Sequence, residues 1–187
     1  MIAEVGRRTF LQMGAAAAAG VLVPAYVEAA PAKVPRKGTR ALSFLHTHTG
    51  ERLKVEYCCD GKYQPDALQA INRILRDFRV NEVKAIDPKL LDLLHSLGSR
   101  LDANQPFHVI SGYRSPRTNA MLRERGGARS GVASGSLHQH GKAIDIRLPG
   151  VRLDHLRGAA RSLNLGGVGY YPSSNFVHVD TGRVRYW

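Results

Sequence analysis

Ser136-Leu137-His138-Gln139-His140-Gly141-Lys142-Ala143-Ile144-Asp145 and, further on, Phe176-Val177-His178-Val179-Asp180 decide how this chain folds and what it can hold. In the second stretch, alternation puts His178 and Asp180 on one face of a strand and Val177 and Val179 on the other. In the first, Asp145 lies on a strand whose opposite face carries Ile144 and Ile146. The histidines come from the turn before it, and Gly141 lets that turn be tight. Each stretch therefore offers an apolar face to a core and a polar face to chemistry. Two histidines and a carboxylate form a three-ligand zinc set whose fourth position stays open for water, as in catalytic rather than structural sites. His138 and His140 are alternative first ligands on these residues alone.

Working outward, residues 107–110, 143–148, 168–171 and 176–180 read as short strands, and 41–46 and 52–57 as two more joined by a turn at Thr49-Gly50. Four helices carry start or stop signals. Pro65 opens one with Leu68, Ile71, Leu75 and Phe78 at helical spacing. Asp87-Pro88 caps a second bearing Leu90, Leu91, Leu94, Leu97 and Leu101. Ser115-Pro116 caps a third that Gly126 or Gly127 ends. The fourth covers 154–163 and stops before Gly166-Gly167. These stripes are core surfaces, not cofactor sites. Residues 126–135, rich in glycine and serine, read as a mobile loop. Helices interspersed with short strands predict an α+β domain over residues 41–187, with helices flanking a small, largely antiparallel sheet. A basic, proline-containing linker at 30–40 precedes it.

The chain has 187 residues, 43% hydrophobic and 22% charged. That suits one compact domain and excludes disorder throughout. Its first 29 residues read as a separate signal. Arg7-Arg8-Thr9-Phe10-Leu11 precedes an alanine-rich apolar stretch at 13–23, and Val27-Glu28-Ala29 follows as a cleavage site. The paired arginines point to the twin-arginine export machinery, a cut after Ala29 and a periplasmic location. The apolar stretch is shorter than the roughly 20 residues a span requires, so no membrane span is expected after processing. The net charge is +12, and the signal holds two arginines and two glutamates, so its removal changes nothing. A basic surface suits nucleic acid, anionic lipid or an acidic polymer. Export disfavours nucleic acid, and the carboxylates of a cell wall fit best. Cys58 and Cys59 are adjacent, which is neither a zinc spacing nor a geometry for an unstrained bridge. They read as structural or redox-labile, not catalytic.

Three elements occur in order: Ser111-Gly112-Tyr113-Arg114-Ser115, then Ser136-x-His138-x-x-Gly141-x-Ala143-x-Asp145, then Val177-His178-Val179-Asp180. Together they resemble the M15-type metallopeptidase family of zinc D-Ala-D-Ala carboxypeptidases and dipeptidases, in particular its murein endopeptidase K branch. The likeness extends from Leu45-His46-Thr47-His48 to Tyr186-Trp187, nearly the whole mature chain. It implies a Hedgehog/DD-peptidase-like fold, Zn2+ held by His138, Asp145 and His178, and peptidoglycan stem peptides as partners. The implied activity is hydrolysis of cross-links that involve meso-diaminopimelate. Arg114 is implied to contact the substrate or the developing oxyanion, a role a guanidinium suits. One departure stands out. Many relatives place an acidic general base three residues before the last histidine ligand, where this chain has Asn175. His140 and Asp180 are the candidates to replace it. Asp180 equally suits the orientation of His178, since the two share a strand face. A carboxypeptidase or dipeptidase, or a zinc module that binds murein without cutting it, stays open beside the endopeptidase. His46 and His48 read as packing or solvent-facing, and His108 as a core histidine.

Overall fold

The computed structural model describes residues 38–127 and 132–187. Residues 1–29, read above as an export signal, most of the expected linker and residues 128–131 of the glycine- and serine-rich stretch lie outside the described residues.

Eight strands form one sheet in the order β3-β2-β1-β4-β5-β7-β6-β8. They are β1 (Arg40–His46), β2 (Arg52–Cys59), β3 (Lys62–Tyr63), β4 (Phe107–Ser111), β5 (Ala143–Arg147), β6 (Gly167–Tyr171), β7 (Phe176–Asp180) and β8 (Arg185–Tyr186). The α+β class holds, and the pairing is mostly antiparallel, with β1·β4 and β6·β8 parallel. The sheet is larger than expected because the two-residue strands β3 and β8 extend both edges. β1 also begins at Arg40, which the sequence assigns to the linker. Its guanidinium bonds Asp92 and the Cys58 sulfur, and those contacts hold it in the fold.

The helices are α1 (Pro65–Ile74), α2 (Pro88–Arg100), α3 (Pro116–Gly126) and α4 (Leu153–Leu163). Asp87 and Ser115 cap α2 and α3 by accepting from the backbone N–H groups of Lys89 and Thr118, which satisfies otherwise orphaned donors. Ile71 and Ile74 of α1, the five buried leucines Leu90, Leu91, Leu93, Leu94 and Leu97 of α2, and Leu156 of α4 share one core with Phe44, Val109, Ile144, Ile146, Val177 and Val179 of the sheet. The β5–β7 register pairs Ile144 with Val179 and Ile146 with Val177, and it also pairs Asp145 with His178. Residues paired directly across two strands share a face. The apolar set therefore faces the helices, and the carboxylate and imidazole meet on the other side.

Helix α1 stops at Ile74 instead of continuing to Phe78. Tertiary partners take over the backbone just beyond it. The Leu75 carbonyl accepts from the Tyr113 N–H at 2.7 Å. The Asp77 carboxylate accepts from the Ser115 N–H at 2.9 Å and hydroxyl at 2.7 Å. Phe78 is thereby released to stack on His48, with ring centroids 4.7 Å apart. Burial disfavours the charged form of Asp77, yet its hydrogen bonds to Thr118, Ser115 and Arg79 hold its pKa below the ordinary value. This clamp ties the end of α1 to the segment that carries Arg114. Replacing Asp77 by Ala leaves buried donors without an acceptor, and should lower the unfolding free energy by about 3 kcal/mol. Urea unfolding of the variant checks this; an unchanged midpoint would remove the clamp from the account of the fold.

Candidate functional site

The polar face of β5 and β7 opens into a cleft of about 480 Å³. Arg114, Leu137, His138, Asp145, His178 and Trp187 are among its lining residues. A larger hollow, of about 710 Å³, lies between β1 and α2 and contains none of the site residues read from the sequence.

Local structure explains how His138 arrives. Residues Leu137–His140 form a single 3₁₀ turn ahead of β5. Gly141 closes it at φ 64°, and a Cβ there would lie 2.3 Å from the Ala85 carbonyl oxygen. Only glycine combines that dihedral with that approach. The turn aims His138 inward, where it is buried, and leaves His140 exposed. His140 is not among the cleft-lining residues, so the structure does not bring it to the cluster.

Hydrogen bonds set the tautomers of the two buried histidines. His138 Nδ1 lies 2.7 Å from the Gly112 carbonyl oxygen, which can only accept, so Nδ1 carries the proton and Nε2 a lone pair. His178 Nε2 lies 3.0 Å from Asp180 Oδ2 and donates there, which leaves Nδ1, 2.9 Å from Asp145 Oδ1, as the nitrogen that can ligate a cation. His138 Nε2 and His178 Nδ1 are 3.1 Å apart. Asp145 Oδ1 stands 2.9 Å from His178 Nδ1 and 3.2 Å from His138 Nε2. Three groups able to ligate a cation thus converge on one point, a set that fits a metal ion once His178 Nδ1 gives up its proton. Tetrahedral zinc with bonds of about 2.0–2.2 Å would have ligand-to-ligand edges of roughly 3.3–3.6 Å, so the separations of 2.9–3.2 Å would need to open by only a few tenths of an ångström. His138, Asp145 and His178 form the group of three ligating side chains, all buried, that the described residues assemble.

The electrostatics agree. Burial disfavours charge on His178, but hydrogen bonds to Asp145 and Asp180 prevail and raise its pKa to about 9, so a proton fills the positive position that a metal ion would take. Burial lowers the pKa of His138 despite the nearby Asp145. Asp145 is held well below the usual carboxylate range, since His138 and His178 outweigh its burial. A cluster with one carboxylate and two imidazoles therefore favours a positive charge at its centre.

Asp180 is completely buried. Its Oδ2 meets His178 Nε2 and accepts from Arg185 Nη2 at 2.7 Å. Its Oδ1 accepts from the N–H groups of Gly167 and Gly182 and from Arg185 Nη1. So saturated a carboxylate is suited to orienting an imidazole and not to taking a proton from water. Arg114 is 8% exposed. Its Nη2 lies 3.3 Å from both Asp145 Oδ2 and Ser111 Oγ, while its buried Nε has no protein partner. Asn175 sits exposed at φ 53° in the β6–β7 turn, outside the cleft lining.

Two further residues join the site without a motif to announce them. Arg185 grips Asp180 with two nitrogens, and the Trp187 ring stands 5.3 Å from that of His178. Sequence spacing gives no hint of either, because a third strand edge brings them in. Of the remaining histidines, His46 is buried against Phe78 and His48, and burial lowers its pKa to about 4. His108 corrects the core assignment: it is half-buried and pairs across the sheet with Arg147, on the strand face turned away from Phe107 and Val109. Cys58 and Cys59 are free thiols outside the cleft.

A family model described as peptidoglycan L,D-endopeptidase MepK matches residues 34–187. Among characterised proteins, the Peptidoglycan L,D-endopeptidase MepK of Escherichia coli K12 is 41% identical over 184 residues, 98% of each chain. The Probable peptidoglycan L,D-endopeptidase MepK of Haemophilus influenzae is 41% identical over 185 residues, covering 98% of this chain and 96% of the relative.

Proposed function

Because this chain belongs to the peptidoglycan L,D-endopeptidase MepK family, we propose that it is an exported zinc peptidase that hydrolyses peptide cross-links of peptidoglycan. The observation that carries the metal is the convergence of His138 Nε2, His178 Nδ1 and Asp145 Oδ1, with both histidine tautomers set from behind. A zinc ion held by these three atoms supplies Lewis-acid polarisation of a carbonyl and a more acidic water. The protein residues do the rest. Asp180 keeps the His178 proton on Nε2, and the Gly112 carbonyl keeps that of His138 on Nδ1. Arg114, beside the far oxygen of Asp145, places a fixed positive charge where the carbonyl oxygen of a bound peptide becomes negative.

The cleft lining includes one carboxylate, the ligand Asp145, and its imidazoles are the ligands His138 and His178. Neither His140 nor Asp180 is therefore assigned proton transfer, and Asp180 takes the orienting role. The relatives are named L,D-endopeptidases. That favours a diaminopimelate–diaminopimelate link, which joins an L to a D centre, over a D-alanyl link. We also propose periplasmic delivery through the twin-arginine route and removal of residues 1–29. Changing Arg7 and Arg8 to Lys should leave uncut precursor in the cytoplasm, and normal export of that variant would discard the route.

Digestion of purified cross-linked murein, with separation of the fragments, tests the activity. Loss of dimers is expected; shortened monomers would mean a carboxypeptidase, and intact murein a binding module. The wild-type chain should carry about one zinc, and His138→Ala, Asp145→Ala and His178→Ala should each lower that sharply. Full zinc in all three by elemental analysis would refute the ligand set.

Arg114→Ala should lower kcat by about 100- to 1,000-fold with zinc content unchanged. Arg114→Lys should not restore it, because an ammonium lacks the planar fork. Steady-state hydrolysis of a soluble cross-linked muropeptide measures both. A raised KM at normal kcat would instead make Arg114 a grip on a carboxylate already present in the substrate.

A further inference from the structure

Trp187 is the single tryptophan of the chain. It is 46% exposed, yet every part of it is held. Its N–H donates to the Val168 carbonyl at 3.2 Å, and its carbonyl accepts from the Tyr170 N–H at 2.9 Å, which continues the β6–β8 ladder. The indole Nε1 donates to the Tyr171 hydroxyl at 2.8 Å. The Tyr171 ring is itself stacked on Phe176, with centroids 4.6 Å apart. Behind the indole lies Gly169, the cross-strand partner of His178. A Cβ on Gly169 would come within 2.7–2.8 Å of three indole atoms, so the absent side chain is the seat of the ring. The Arg185 guanidinium stands 4.9 Å from the ring centroid while its nitrogens remain on Asp180.

An aromatic side chain fixed in this way has already lost its rotamer freedom, and still leaves much of its surface in water. That is the condition of a preorganised contact surface. The ring lines the same cleft as His138, Asp145 and His178. Of the two arginines in that lining, Arg114 sits on the Asp145 side of the cluster, with Asp145 the one carboxylate beside it among the described residues, while Arg185 is engaged by Asp180 on the His178 side, where Trp187 also stands. An occupant spanning the two needs a polar, anion-forming group for Arg114 and a flexible hydrocarbon segment for the indole. A cross-linking diamino acid has both: the amide to be cut, and a methylene arm that can lie across an aromatic face.

We propose that Trp187 is a substrate-positioning residue, whose indole packs against the hydrocarbon arm of the cross-linking diamino acid and so sets the amide over the three-ligand cluster. This role rests on the peptidoglycan reading above. Tyr171 and Gly169 serve it indirectly, one by pinning the indole nitrogen and the other by making room for the ring.

The test uses the zinc-loaded protein and a soluble muropeptide with a diaminopimelate–diaminopimelate cross-link. Trp187→Ala should raise KM by about tenfold, the scale of one lost aromatic contact with its buried area. Its kcat, zinc content and melting temperature should stay near wild type. Trp187→Phe should recover most of the loss, since a ring remains even though the bond to Tyr171 is gone. Gly169→Ala keeps the tryptophan but forces the indole from its seat, and it should raise KM in the same direction even if Trp187→Ala fails to fold. An uncross-linked stem tetrapeptide should shift the emission of the single tryptophan in the wild-type protein. Normal KM in both Trp187→Ala and Gly169→Ala, with the wild type cutting the muropeptide, overturns the role of Trp187 alone. A folded, zinc-loaded wild type that cuts no muropeptide overturns the peptidoglycan reading and this inference with it.

Discussion

The Asp180 carboxylate is the constraint on which the site depends. It is wholly buried, and a buried charge is tolerable only when its lone pairs are filled by donors. Five donors fill them: two backbone N–H groups, two nitrogens of Arg185 and the imidazole of His178. They come from four places in the local structure. Gly167 begins β6, Gly182 lies in the turn after β7, Arg185 begins β8, and His178 is on β7 itself. One carboxylate thus links the three edge strands and orients the imidazole of a candidate metal ligand. Arg185 and Trp187 reach the cleft because Asp180 holds β8 against β6.

The site is rigid because it stands on paired strands. Asp145 and His178 are cross-strand partners, so their separation is set by the β5–β7 ladder and not by loop conformation. Their neighbours Ile144, Ile146, Val177 and Val179 are buried in the core on the other face. Moving either ligand would require moving the core. Of the three candidate ligands, His138 is the one that comes from a turn. It is secured by its bond to the Gly112 carbonyl and by the Asp87–Gly141 backbone bond that ties its turn to the start of α2. Such support behind the ligands is what sets donor orientation in a metal-binding cluster.

The sequence is most legible where periodicity and capping agree. The starts of α2 and α3 follow from Asp87-Pro88 and Ser115-Pro116, and the polar face of β5 and β7 follows from plain alternation. It is least legible where a distant partner overrides a local pattern. Leu75 and Phe78 continue the apolar spacing of α1, yet the helix ends before them because Tyr113 and Ser115 claim the acceptors of Leu75 and Asp77. Strands β3 and β8 have two residues each, too short for any alternation to register. His108 looks like core because its strand neighbours are apolar, but it sits on the strand face turned away from them.

By itself, the sequence determined the α+β class, the strand faces and the three elements whose residues converge, because these follow from spacing, turn chemistry and motif order along the chain. On the residues alone it left His138 and His140 as alternatives until the family resemblance singled out His138, and it left Asp180 divided between base and orienter. Only the tertiary structure shows which of these side chains are buried in the cleft and how they are bonded. Which of two neighbouring histidines turns inward depends on the approach of Gly141 to Ala85, from a distant segment. Whether a carboxylate is free to take a proton depends on how many donors already surround it. Here those donors include Arg185, delivered by a strand that pairs with β6. Spacing records which residues share a face; it carries no record of which groups from elsewhere in the chain have filled their hydrogen-bonding positions.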